Sequence, residues 1–147
     1  MLFRSYTTGT TVGTDVANVG YVVMSQSAEI AQTTNISVAG VYKTTIVVPA
    51  GSRIISIVAT VTTAWTTGGT INVGTNSTAT QLAVAADNDF STTVGNKTII
   101  PGDDATRSGK WIDVGATDVQ IYVLSTNTGT GVGVLTVNYA QALDLTA

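Results

Sequence analysis

The sequence predicts an all-β protein, a jelly-roll-like antiparallel β-sandwich, on the strength of two observations. Charged residues make up only 10% of the chain, against about 25% in typical soluble domains, and threonine fills most of that gap. Threonine is β-branched and stiff at χ1, so it favours strands over helices. Short segments of alternating apolar and polar residues also recur at fairly regular spacing between Gly, Pro, Asn and Asp turns, which is typical of a sandwich or jelly roll.

Residues 46–75 form the clearest of these segments and predict a strand, a tight turn, a long strand, a hairpin turn and a further strand. The turns are Pro-Ala-Gly-Ser at residues 49–52 and Thr-Thr-Gly-Gly at residues 66–69, both suited to chain reversal between antiparallel strands. Alternation along the long strand predicts that one face is buried. The residues on that face are Ile55, Ile57, Ala59, Val61 and Trp65.

The rest of the chain predicts further strands with little helix. These strands lie at residues 19–25, 42–48, 97–100, 109–114, 118–125 and 132–140, and residues 28–32 either continue the first strand or bend away from it. Residues 76–95 are read mainly as a long connection, because Asn, Ser, Asp and Gly punctuate them and no helical period persists. The glycine-rich residues 129–133 precede a strand rather than a helix, so they predict a hairpin turn and not a dinucleotide-binding loop.

The predicted domain organisation is an extended N-terminal arm, residues 1–18, followed by one sandwich domain, residues 19–147. The arm is rich in Thr and Gly and shows no periodicity, which is equally typical of a disordered tail and of a segment that orders on a partner. A domain of the remaining length can bury about two-thirds of its unfolded surface, so one core is expected.

The amino-acid composition excludes most of the familiar catalytic mechanisms. It predicts a protein that is not an enzyme and holds no cofactor. Histidine and cysteine are both absent, which excludes Ser-His-Asp and Cys-His triads and thiolate or imidazole metal sites. Nothing selects a pair of acids for glycoside hydrolysis, since eight of the nine acids are Asp in turns or at strand ends. The acidic groups at residues 87–89 and 103–104 could offer oxygen ligands to Ca²⁺, but turn formation explains them better.

Charge and hydropathy patterns also bear on partners. The six basic residues are scattered along the chain, so no nucleic-acid surface is predicted. No apolar run approaches the length of a signal peptide or of a bilayer span, and we expect a soluble protein made in the cytoplasm, with no membrane partner. A surface with so little charge suggests contact with other protein or, equally on composition, a secreted adhesin-like surface.

The aromatic residues allow two interpretations. They could form a sugar-stacking platform, or they could pack in the core or at an interface. The residues concerned are Trp65, Trp111, Tyr122 and Tyr139. Core or interface packing is favoured, because Trp65 continues the buried face of its strand.

Three segments carry a resemblance to a known family: VPAGSRIISIVATVTTAWTTGGTINVGT, LAVAADNDFS and GVGVLTVNYAQ. Together they resemble tailed-bacteriophage head decoration, or capsid cement, proteins, over about residues 40–140. The resemblance implies a jelly-roll fold, a homotrimer, and a place on the outer capsid surface of the virion, where the subunit clamps neighbouring copies of the major capsid protein.

Candidate contacts with the capsid or with other subunits lie near the N-terminus, at Phe3, Arg4, Tyr6 and Tyr21. Aromatic residues and arginine are enriched at the centres of protein interfaces, and these four lie in or beside the arm. The alternative hypothesis is the receptor- or glycan-binding head or tip domain of a phage fibre.

Overall fold

Two antiparallel sheets make up the fold that the computed structural model describes, which comprises residues 21–32, 41–66, 69–88, 93–125 and 129–142. The strands are β1 (Tyr21–Ala31), β2 (Val41–Val48), β3 (Arg53–Thr63), β4 (Ile71–Gly74), β5 (Gly95–Ile99), β6 (Val119–Ser125) and β7 (Val132–Ala142). One sheet has the order β1-β7-β3-β5 and the other the order β2-β6-β4. One short helix, α1 (Ala105–Ile112), follows β5. The predicted all-β sandwich is confirmed.

Consecutive strands alternate between the two sheets along the whole described chain. Every connection between named strands therefore crosses the sandwich, which is the wrapped arrangement of a jelly roll. An isolated bridge between Ala83 and Val73 stands where an eighth strand would extend the smaller sheet. The predicted hairpins at residues 66–69 and 129–133 are wrong, because β3 and β4, and likewise β6 and β7, lie in different sheets. Gly-rich turns signal a reversal of the chain without specifying the sheet to which it returns.

The core lies between the inner faces of the sheets and contains the residues expected from alternation in the last strand. Its largest side chains are Trp65, Tyr139, Ile46, Ile57, Ile71, Leu82, Ile99, Ile121 and Leu135. Trp65 fits between two glycines: a Cβ atom added at Gly69 or at Gly131 would lie 2.3 or 2.6 Å from its side chain. Its indole N–H donates to the Ser125 hydroxyl at 3.3 Å. The predicted core position of Trp65 is confirmed.

A β-bulge in β3 changes which isoleucines are buried. Ile54 pairs with Tyr139 and Ser56 with Asn138 on β7, so Ile55 is an extra residue between the two pairs. A bulge of this kind shifts the alternation of faces by one residue. Ile55 is consequently 50% exposed, whereas Ile54 and Ile57 are buried. The prediction that Ile55 shares the buried face of Ile57 is wrong, and the bulge is the reason.

The predicted strand at residues 109–114 is also wrong, since most of it belongs to α1. The Asp104 carboxylate accepts a hydrogen bond from the backbone N–H of Arg107 at 2.8 Å and so caps the start of the helix. At the other end, the Trp111 indole N–H donates to the Leu82 carbonyl at 2.9 Å. The apolar residues around Trp111 are spaced so closely that they suit a strand or one helical face equally well.

The first strand is longer than expected. A short strand was predicted at residues 19–25, with residues 28–32 either continuing it or bending away. β1 does continue, to Ala31, and it pairs with β7 along its full length, from Tyr21 opposite Ala142 to Ala31 opposite Val132. The predicted arm, residues 1–18, lies outside the described residues.

The bulge predicts that two isoleucines of one strand differ sharply in their contribution to stability. Ile57→Ala empties a fully buried position and should lower the free energy of unfolding by about 2–5 kcal/mol. Ile55→Ala, the matched control in the same strand, should change it by no more than about 0.5 kcal/mol. Urea denaturation of both variants measures the difference, and equal losses would contradict the bulged register.

The cap of α1 predicts a dependence of stability on pH. The hydrogen bond from the Arg107 N–H lowers the pKa of Asp104; desolvation opposes this, and the Arg107 charge adds to the lowering. A carboxyl group with a lowered pKa stabilises the fold above its unfolded pKa, and this contribution is lost as the pH falls through the folded pKa. Between pH 7 and pH 3, wild type should therefore lose more stability than Asp104→Asn in urea denaturation. Identical pH profiles would contradict this role of Asp104.

Candidate interaction surface

The first residues of β1, 21–24, and the last of β7, 139–142, form a two-stranded ribbon at one corner of the sandwich. Arg53, the first residue of β3, pairs with Ala140, so the pairs Tyr21–Ala142 and Val22–Gln141 lie beyond the end of β3. At the same corner β2 ends at Val48 and the chain turns at residues 49–52. The ribbon therefore extends past its neighbours in both sheets.

The ribbon exposes apolar side chains on both of its faces. From Gln26 to Ile30 the even-numbered residues of β1 point toward the smaller sheet and the odd-numbered ones toward solvent. Val22 and Met24 continue the inward series, yet they are 38% and 44% exposed because β2 no longer lies over them. On the outer face, Tyr21 and Val23 are 61% and 67% exposed. Four consecutive apolar residues are thus left open, as is typical of interaction sites.

Gln26 marks the point at which this exposure ends. Its side-chain amide accepts a hydrogen bond from the Val47 N–H at 3.1 Å and donates to the Val47 carbonyl at 2.7 Å. It also lies 2.7 Å from the Tyr139 hydroxyl, to which its amide nitrogen donates. Gln26 thereby bonds to β2 as a neighbouring strand would, and it closes one side of the sandwich between β1 and β2.

Of the four candidate contact residues, the structure places Tyr21 at the exposed start of the ribbon. Phe3, Arg4 and Tyr6 lie outside the described residues. The sequence reasoning missed Val22, Val23 and Met24, which it took for part of an ordinary strand. The available signal was the unbroken apolar run YVVM, which suits a strand that is covered on both faces.

Of the acidic residues considered as calcium ligands, Asp87 and Asp104 are engaged within the fold, and Asp89 lies outside the described residues. The Arg107 guanidinium lies 3.2 Å from the Asp87 carboxylate and 3.7 Å from that of Asp104. The Asn88 amide accepts from the Ile100 N–H at 2.8 Å and donates to the Ile100 carbonyl at 3.0 Å. No cluster of three or more acidic residues suited to a metal ion occurs among the described residues. These contacts give Asp87, Asn88 and Asp104 structural roles within the fold.

The aromatic residues do not assemble a sugar-stacking platform in the described part of the chain. Trp65 and Tyr139 are buried in the core, and Trp111 is partly buried against it. Tyr122 is half-buried on β6, and Tyr21 is 61% exposed with aliphatic neighbours on the ribbon. Packing is therefore the role of Trp65, Trp111 and Tyr139.

The described basic residues lie apart on four elements, at Lys43 in β2, Arg53 in β3, Lys97 in β5, and Arg107 and Lys110 in α1. They do not line a common groove of the kind that follows a phosphate backbone. No helix within the described ranges has the length and apolar character needed to cross a membrane.

Comparison with known proteins identifies a structural relative. No family model matches the chain, and no curated protein matches its sequence. Its fold is similar to that of a chain in the cyanophage Pam1 capsid asymmetric unit, with a TM-score of 0.54 and 18% sequence identity. The likeness covers 90% of this chain and 94% of that one. The two chains share a fold. Since both are covered almost completely, they are also of similar length.

The bonds of Gln26 predict a loss of stability when its amide is removed. Gln26→Ala deletes two exposed hydrogen bonds to Val47 and a partly buried one to Tyr139, which together should contribute about 1–2 kcal/mol. Ser27→Ala, one residue along the same strand, removes one exposed hydroxyl contact and should cost no more than about 0.5 kcal/mol. Urea denaturation provides the measurement. A Gln26→Ala variant as stable as wild type would show that solvent replaces these bonds.

Proposed function

We propose that this chain is a non-enzymatic structural protein of a bacteriophage virion, a decoration or cement subunit that binds the major capsid protein on the outer capsid surface. The observation that carries the proposal is the fold shared, over nearly the whole of both chains, with a component of the cyanophage Pam1 capsid asymmetric unit. This agrees with the resemblance carried by the strand and turn segments of residues 40–140.

The surface chemistry supports a role in protein contact. The chain contains only fifteen ionisable Asp, Glu, Lys and Arg residues, and its exposed strand faces are rich in threonine. Few long charged side chains have to be desolvated when such a surface meets another protein. The ribbon adds open apolar side chains from Tyr21 to Met24, and apolar and aromatic side chains of this type form the centres of interfaces.

The proposed capsid contact is the N-terminal region, comprising the arm at residues 1–18 and the ribbon into which it leads. Phe3, Arg4 and Tyr6 are the proposed anchors in the arm, and Tyr21 is the proposed anchor on the ribbon. An arm that joins the sandwich at an apolar corner could extend across a neighbouring subunit while the jelly roll remains folded.

A capsid-binding experiment tests the function and the assignment of the arm separately. Capsids of the phage that encodes this chain, prepared without it, are mixed with the purified protein and sedimented through a density gradient. Wild type should bind to saturation at a fixed number of copies per capsid. The variant lacking residues 1–18 should remain folded by circular dichroism and lose most of this binding.

Ile112→Ala serves as the matched control, because it shortens an exposed apolar side chain on α1 and leaves the N-terminal region intact. It should bind as wild type does. Failure of wild type to sediment with capsids would overturn the virion role. Undiminished binding by the truncated variant would overturn only the assignment of the arm.

A further inference from the structure

The outer face of the four-stranded sheet lacks the charged side chains of an ordinary solvent-facing sheet. An antiparallel sheet with one face in the core normally carries polar and charged side chains on the other. Here the middle of the outer face carries short hydroxyl, amide and aliphatic side chains, in two rows that cross the strands. One row is Ser25, Asn138 and Ser56, and the other is Ser27, Thr136, Val58 and Thr98. Neither row includes Asp, Glu, Lys or Arg.

Most charged residues of the described chain lie outside the strands of this sheet. They are Lys43, Asp87, Asp103, Asp104, Arg107, Lys110, Asp113 and Asp118. On the sheet itself, Lys97 lies opposite the buried Ala59 and so belongs to the inward series of β5. Glu29 lies beyond the second row at one end of the outer face, and Arg53 lies at the other end. The two rows therefore form a neutral area between charged surroundings.

Hydrogen bonds within the outer face hold its side chains in place. The hydroxyl groups of Ser27 and Thr136 lie 2.9 Å apart, within hydrogen-bond distance. In the other row, the Asn138 amide donates to the Ser56 hydroxyl at 2.9 Å. Short side chains that already bond to one another lose little conformational entropy when a partner covers them. The outer face is therefore suited to a flat contact with another protein that requires no ion pairs.

The ribbon by itself is small for a specific contact. Strands lie about 4.8 Å apart and rise about 3.3 Å per residue, so the ribbon presents roughly 130 Å² on one face. Specific interfaces cover about 800 Å² on each partner. The outer face of all four strands, with the ribbon included, presents roughly 600 Å² by the same geometry. The ribbon and the adjoining outer face together approach the size of a specific contact.

We propose that the outer face of the four-stranded sheet lies against the major capsid protein, so that the capsid contact extends from the ribbon across the two neutral rows to β5. This inference rests on the proposed virion function and adds the orientation of the subunit on the capsid. Continuity with the ribbon supports it. Tyr21 and Val23 lie on the same side of β1 as Ser25 and Ser27, so a partner that covers the outer side of the ribbon also meets the rows.

Charge supports the same orientation. Each subunit carries a formal net charge of −3, and a capsid holds many subunits close together. Contact through the neutral rows leaves the charged side chains in water, where they keep their hydration. Contact through α1 would instead have to desolvate charged groups such as Lys110 and Asp113.

Capsid binding by lysine variants tests the proposal. Thr136→Lys places a charge within the second row and should weaken capsid binding by at least about tenfold, because the introduced ammonium group has to be desolvated without a partner. Thr98→Lys makes the same change where the row reaches the exposed strand β5, and it should also weaken binding. Thr45→Lys is the matched control: Thr45 is exposed on β2 in the smaller sheet, and this variant should bind as wild type does. Urea denaturation establishes that each variant is folded.

Chemical labelling provides a second measurement, because the chain has no native cysteine. Ser27→Cys should react with a maleimide in the free protein and become protected on the capsid, whereas Thr45→Cys should react equally in both states. Equal reactivity of Ser27→Cys in the two states, or undiminished capsid binding by both Thr136→Lys and Thr98→Lys, would overturn the proposed orientation and leave the virion function standing.

Two further outcomes separate this inference from the proposals on which it rests. Failure of wild type to bind capsids would overturn the virion function, and the orientation with it. If Thr136→Lys binds capsids normally but dissociates oligomers of the chain in sedimentation equilibrium, the outer face contacts a second copy, and only the orientation is overturned.

Discussion

The fold depends on hydrogen bonds from side-chain amides to backbone groups where the chain passes from one sheet to the other. Because every described connection between strands crosses the sandwich, backbone groups at the crossings have no ladder partner, and burying them unbonded would be costly. Asn88 bonds both backbone groups of Ile100, just after β5, and Gln26 bonds both of Val47 on the free side of β2, next to the crossing that leads to β3. Each side-chain amide thus makes the pair of backbone hydrogen bonds that a residue of a neighbouring strand would make.

Gln32 has the same role near the buried side chain of Trp65. Its buried amide donates to the Thr66 carbonyl and accepts from the backbone N–H groups of Thr66 and Gly131. Gln120 serves the irregular part of β2 by donating to the carbonyls of Thr44 and Ile46. Amides suit these positions because they donate and accept without the desolvation cost of a charge. A protein with few charged residues thus satisfies its irregular backbone with neutral groups.

Local chemistry allowed the strands to be predicted from the sequence, but not the way they are connected. Alternation identified β6, β7 and most of β3, because a half-buried strand leaves its period in the sequence. The bulge at Ile55 left no comparable trace, and one extra residue was enough to reverse the face assigned to that side chain. Helix α1 was missed because its eight residues are too few to establish a helical period around Trp111. For the candidate surface, Tyr21 was predicted from its aromatic chemistry. The exposure of Val22 and Met24 follows from the endpoint of β2, a property of tertiary structure.

The pairing of β1 with β7 has a consequence for how the protein is made. Tyr21 lies opposite Ala142, so the four-stranded sheet joins the earliest and latest described strands of the chain. During translation β1 leaves the ribosome long before β7 has been made, and the larger sheet cannot close until residues 132–142 are available. Pairing between such distant segments also makes folding slow. The apolar first residues of β1 therefore remain without their β7 partner in the growing chain until more than a hundred further residues have been made.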